Sequence, residues 1–169
     1  MWRILLIGLA PLWIVALHAE RVEIPKAKIA FELPASEFWQ IIPASQFPNS
    51  AASMCFPRLR HGSTTISVAL WEYDFNSLDA HIRAYFERMN RYASGAYTRE
   101  LDRSDFYTKS GISGVRLRVE SGRDDGTKWE LLRYVFKNRA GMVICISANG
   151  NAQQIDKVIS NMELFAPNR

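Results

Sequence analysis

Strands that are apolar on both faces constrain this chain more than any other feature. From Thr64 to Phe75, Ile66, Val68 and Leu70 fall on one side, and Ala69, Trp71, Tyr73 and Phe75 on the other. Such a strand needs cover on both sides. The stretch 128–148 behaves alike. Pairing Val135 with Ile144 across the turn Asn138-Arg139-Ala140-Gly141 puts Leu131, Val135, Ile144, Ile146 and Ala148 on the face of Val115. Leu132, Tyr134, Phe136, Val143 and Cys145 then form an equally apolar reverse face. A sheet of this kind needs two covering layers.

Two amphipathic helices supply that cover. Leu78, Ile82, Tyr85, Phe86, Met89 and Ala93 recur at steps of three and four, which predicts a helix from Ser77 to about Ala93. Asn76 serves as its N-cap, Asp79 complements the helix dipole, and Gly95 closes it. On this spacing His81 falls on the wet side. A second, shorter helix follows the turn Asn149-Gly150-Asn151, with Ala152, Ile155, Val158, Ile159 and Met162 on one face. The expected class is α+β: an antiparallel sheet covered by helices on both faces, an α/β/α sandwich.

Elsewhere the pattern is local. Ala27–Leu33 reads as a first strand and Phe38–Ile42 as a second apolar run, while 43–60 reads as a long loop. Val115, Leu117 and Val119 alternate with Arg116, Arg118 and Glu120, and Gly122–Gly126 makes a turn. Placing Glu120 opposite Lys128 sets Arg118 against Glu130, Val119 against Trp129 and Leu117 against Leu131. Opposite charges then meet, and so do apolar residues.

The N-terminus carries a different signal. Arg3 precedes an uncharged apolar run from Ile4 to Leu17, and Ala19 stands before Glu20-Arg21-Val22-Glu23. That order is the pattern of an export leader, residues 1–19, cut after Ala19. Leu17 is less favourable than alanine near the cut, so retention as an anchor stays open. Residues 20–169 then form one domain in the periplasm or outside the cell. The net charge of +4 is spread among acids, which suits solubility or an anionic surface better than nucleic acid. Cys55 and Cys145 are the only cysteines. Outside a reducing compartment they allow one disulfide, the alternative being two buried thiols.

The order of elements in the C-terminal half has a known parallel. Gly111-Ile112-Ser113-Gly114 opens two long strands with the turn at 138–141, followed by a cap, a short helix and Ser160-Asn161-Met162-Glu163-Leu164-Phe165. This resembles the PsbP-like α/β/α sandwich group, which includes photosystem extrinsic subunits and exported bacterial proteins. The resemblance covers about half of the domain. The ending departs from the group's pattern, with extra residues between serine and phenylalanine. It implies a non-catalytic accessory or binding module and transfers no functional residue.

Catalytic motifs are short. Arg60-His61-Gly62 matches three residues of the histidine phosphatases, whose chemistry needs a second histidine and converging arginines. Ser63 beside His61 lacks the nucleophile elbow of a serine hydrolase. Asp102, Asp105, Asp124 and Asp125 lack the spacing of a calcium loop, and no cysteine–histidine spacing fits zinc. Neither a metal nor a cofactor is expected. Trp39, Trp71 and Trp129 read as core or as the wall of a ligand groove. Arg133 is the informative exception: it shares a face with Leu131, Val135, Val115 and Ile146, where an isolated charge is costly. An internal ion pair, a snorkelling stem or an anion-binding pocket each resolves that cost. The sequence thus points to an exported binding module, with an envelope protein or a small anion as its partner. A small hydrolase centred on His61 and a structural envelope protein are the alternatives.

Overall fold

The computed structural model describes residues 20–34, 37–42, 55–71, 76–92 and 95–164. Residues 1–19, the expected export leader, lie outside them. Ten strands and two helices follow in chain order: β1 (Glu20–Ile24), β2 (Ile29–Leu33), β3 (Gln40–Ile42), β4 (Cys55–His61), β5 (Thr64–Trp71), α1 (Leu78–Tyr92), β6 (Ala96–Tyr107), β7 (Ser113–Arg123), β8 (Lys128–Lys137), β9 (Val143–Asn149), α2 (Ala152–Ser160) and β10 (Glu163–Leu164). Seven strands form one sheet in the order β3-β4-β5-β9-β8-β7-β6, and β1-β2-β10 form a second. The pairings in both are antiparallel. The chain is α+β, as its patterning predicts.

Two apolar clusters divide the buried residues. Ile66, Val68, Leu70, Leu132, Tyr134, Phe136, Ile144 and Ile146 pack with Ile155, Val158 and Ile159 of α2, and with Ile24, Ile29, Phe31 and Leu33 of the small sheet. Leu117, Val119, Val135, Val143 and Cys145 pack with Ile82 of α1. The first cluster has a component the sequence pattern signals only in part: β2 falls within the strand read at Ala27–Leu33, whereas β1 and its pairing with β2 carry no signal. Arg21 ties its layer together, bonding Glu23 and Glu32 and reaching Glu163 on β10 at 2.8 Å.

Several expectations need correction. The segment 43–60 is not loop throughout, because Cys55–His61 is β4; its register with β5 shifts between Cys55 and Arg58, where Pro57 has no N–H to donate. The β7–β8 hairpin pairs Val119 with Leu131 and Glu120 with Glu130, two residues from the charge-matched register. Like charges sit opposite because β6 neutralises Glu120 from its other side, with Tyr97 and Arg99 both bonding its carboxylate. Arg118 still meets Glu130, diagonally, at 3.8 Å. The turn is shorter as a result: Arg123 N donates to Thr127 O, and Gly126 takes φ +85.

Across the next turn Val135 pairs with Cys145, not with Ile144. That one-residue difference moves Ile144, Ile146 and Ala148 to the face of Tyr134, and Val143 and Cys145 to the face of Val135. Finally, Ser77 caps α1, its hydroxyl accepting from Ala80 N at 3.1 Å, in place of Asn76.

The two glycines of the Gly111-x-x-Gly114 segment answer different needs. Gly111 closes the β6–β7 turn at φ +84, with open space where a Cβ would stand. At Gly114 a Cβ would lie 2.3 Å from Val135 O and 2.8 Å from Phe106 and Phe136. Only a residue without a side chain lets these strands approach.

Candidate functional site

Beneath α1 lies a cluster of groups that titrate or react. Arg133, on β8, faces the helix because strand alternation puts it with Leu131 and Val135. Its guanidinium stacks on Tyr85 of α1, 3.7 Å from the ring centroid. Its Nη2 donates to Cys145 Sγ at 2.6 Å across the β8–β9 pair. The residue is 8% exposed, and among the described residues no carboxylate pairs with it. Stacking on an aromatic face and a sulfur acceptor are the compensation present.

His81 completes the cluster. Only 2% of it is exposed, contrary to the wet position its spacing suggests. Position 81 lies three residues after Leu78 and four before Tyr85, so the buried stripe is centred nearer to it than to Met89, which is 39% exposed. Burial, reinforced by the charge of Arg133, pushes the His81 pKa down to about 4. Burial raises the Tyr85 and Cys145 pKa values, with Arg133 opposing both shifts. At neutral pH the imidazole, phenol and thiol are therefore uncharged, and Arg133 carries the cluster's charge. The imidazole has the wrong surroundings for a base, and the thiol for a nucleophile.

The remaining sequence candidates separate. His61 ends β4, where its Nδ1 shares a hydrogen bond with Phe38 O at 2.8 Å and its ring lies 5.4 Å from that of Trp39. Arg60 donates to Gly62 O, and Gly62 turns the chain at φ +58, so Arg60-His61-Gly62 is a hairpin corner. His81 is buried with the other cluster, apart from it. Ser63 belongs to that corner, between His61 and its partner Thr64.

Asp102 and Asp105 lie on β6, whereas Asp124 and Asp125 form the β7–β8 turn, where Asp125 accepts from Thr127 N. No metal-binding group of side chains occurs among the described residues. Trp39 is core and Trp129 is exposed at 38%, so these two line no common groove; the Trp71 side chain lies outside the described residues.

The Cys55–Cys145 disulfide is not formed. Cys145 is a free, buried thiol, and Ala69 of β5 stands between the two positions, pairing with Cys55 on one side and Cys145 on the other. Two strand spacings put the backbones about 10 Å apart, beyond the ~7 Å a disulfide spans. Ile146, expected beside Arg133, lies on the opposite face. No spacing signal identifies Tyr85 and Cys145 as its neighbours.

A different network secures the other face. Tyr134 donates to Asp156 of α2 at 2.5 Å, and Arg116 bonds the same carboxylate. Thus α2 is held to the sheet by charge as well as by Ile155 and Val158. At the far end, Asn90 of α1 bonds both backbone groups of Thr98 on β6.

No family model and no curated protein matches the chain. Among solved structures it is similar to cyanobacterial PsbP (CyanoP) from Synechocystis sp. PCC 6803, at 14% identity and a TM-score of 0.62 over 94% of this chain and 99% of that one. A protein of unknown function from Pseudomonas aeruginosa, PA94, aligns at 12% identity and a TM-score of 0.46, over 90% and 99%. The chain has a PsbP-like fold.

Proposed function

We propose that this chain is an exported, non-catalytic binding module and that Arg133 is its contact with a small anion. The observation that carries this is a guanidinium about nine-tenths buried with no carboxylate partner among the described residues. Such a group costs free energy in isolation and gains most from an anion. The PsbP-like fold supports a module of this size. We also read the large sheet as covered by one helix on each face. Ile82 of α1 and Ile155 of α2 belong to different clusters, which supports that reading.

Thermal unfolding in phosphate, sulfate and acetate tests the anion contact. At ten times Kd an anion adds about 1.4 kcal/mol, a rise of about 3–5 °C for a domain of this size. The rise is expected to vanish in Arg133→Leu, and a rise that survives that change overturns the assignment. Export is tested by the mass of the protein recovered from the periplasm, expected to begin at Glu20. Hydrolysis of phosphoesters or simple esters, abolished by His61→Ala, would replace this reading with the hydrolase.

A further inference from the structure

The α1 side of the large sheet changes character beyond β8. Helix α1 packs against β6 and β8, and α2 packs on the opposite face against β5 and β9. Strand pairing then lays out two rows of side chains on the α1 side, because residues opposed across a pair share a face. Ile42 of β3, Arg58 of β4, Ser67 of β5, Ser147 of β9 and Arg133 of β8 stand opposite one another in turn. Gln40, Arg60, Thr65 and Asn149 form the next row. From β3 to β9 the strip is about 14 Å wide. Gln40, Arg60 and Asn149 are exposed, while Arg58, Thr65, Ser67 and Ser147 are half-buried.

No acid stands on this strip among the described residues. Glu37, three residues before Gln40, is turned to the other face, where it bonds Trp39 and Lys157 of α2. Glu120 and Glu130 belong to that other face as well, alternating with Val119 and Leu131. The acids of β6 on the α1 side, Glu100 and Asp105, lie three strand steps from β9. Helix α1 gives Asp79 to Arg103 and Asn90 to Thr98, both on β6. Its opposite edge, with His81, Ala84 and Arg88, therefore borders the strip, and it too carries no acid.

The polar groups of the strip have capacity to spare. Arg60 donates to Gly62 O and has no carboxylate partner among the described residues. Thr65 bonds Asn149, whereas the side chains of Gln40, Ser67 and Ser147 make no hydrogen bond among the described residues. Arg58 and Arg60, two residues apart on one strand, set two positive charges about 7 Å apart along it. Neutral donors and acceptors outnumber these cations, so the matching ligand is negative but carries more hydroxyl than charge. A nucleic acid, with a phosphate on every unit, calls for a mainly basic surface. Phe38, 86% exposed at the outer margin of the strip, offers an apolar face for a sugar ring.

We propose that this strip binds an acidic oligosaccharide. Its carboxylates meet Arg58 and Arg60, and its hydroxyls meet the serines and amides of β3, β5 and β9. Arg133, at the inner end of the first row, is covered by Tyr85 and takes no part, so this site is separate from the small-anion contact.

The probe is tetragalacturonate at millimolar concentration, added to the ¹⁵N-labelled protein. Amide shifts are expected on residues 58–60, 65–67 and 147–149. The full methyl ester, which keeps the hydroxyls and loses the charges, is expected to bind about tenfold more weakly. Tetraglutamate, which keeps the charges and lacks the hydroxyls, is expected to weaken by a similar factor. Arg60→Ala is expected to weaken tetragalacturonate binding about tenfold, and Arg133→Leu to leave it unchanged. Arg60 is exposed, and an unchanged spectrum of the free variant shows that it folds. No shifts, shifts elsewhere, or an ester that binds as tightly as the acid would overturn the proposal. Binding lost in Arg133→Leu and kept in Arg60→Ala would overturn it in favour of the buried contact. Tighter binding by a thymidine tetranucleotide would overturn it in favour of nucleic acid.

Discussion

His81 gives the sharpest test of the buried cluster. Its pKa is held at about 4 in the folded protein, against the ordinary 6.5 of a solvated histidine. The unfolded chain therefore binds more protons between these values, and stability must fall as pH drops through them. At pH 7 the contribution is nearly complete. Linkage with these two pKa values gives a loss of about 2 kcal/mol by pH 5 and about 3 kcal/mol by pH 4, with little further change below. Urea unfolding of the wild type and of His81→Leu at pH 7, 6, 5 and 4 isolates the effect, because the other titrating groups are common to both. The difference in unfolding free energy between the two proteins is expected to move by those amounts in favour of the variant as pH falls. A difference that stays constant from pH 7 to pH 4 would refute the burial of His81 between α1 and the sheet.

Other expectations follow from the same contacts. Arg133→Met removes the charge that helps to depress His81, so NMR titration should show the imidazole pKa moving upward. Its stability should be unchanged or higher, since replacing a buried ion that lacks a carboxylate partner by an apolar side chain is commonly neutral or favourable. Gly114→Ala puts a methyl group into Val135 O and should cost about 2–3 kcal/mol by urea unfolding, whereas Gly111→Ala meets no atom and should cost about 1 kcal/mol from φ alone. Tyr134→Phe loses the bond to Asp156 and should cost about 1–2 kcal/mol, read as a lower urea midpoint with unchanged slope.

What the sequence made legible depended on whether a wrong placement carried a penalty. Helix α1 was readable because its apolar stripe has a polar reverse, although the true centre at His81 and Tyr85 sits to one side of it. The face of Arg133 was readable because β7 alternates apolar and charged residues. The β8–β9 register was not, because both strands are apolar on both faces and a slip of one residue exposes nothing. The β7–β8 register failed for another reason. Charge matching considered two strands, while β6 supplied Arg99 and Tyr97 to Glu120 from outside the pair. β6 itself, rich in charge and nearly free of alternation, gives no periodic signal. The disulfide expectation rested on counting alone, and only the strand order reveals Ala69 between the two cysteines.

Alkylation of Cys145 tests most directly the claim that this domain keeps its reactive groups sealed beneath α1, with β8 and β9 in the register described. Peptide mapping after iodoacetamide treatment is predicted to find Cys145 unmodified in the folded protein and fully modified in urea. Rapid modification without denaturant, or a peptide joining Cys55 to Cys145, would contradict it.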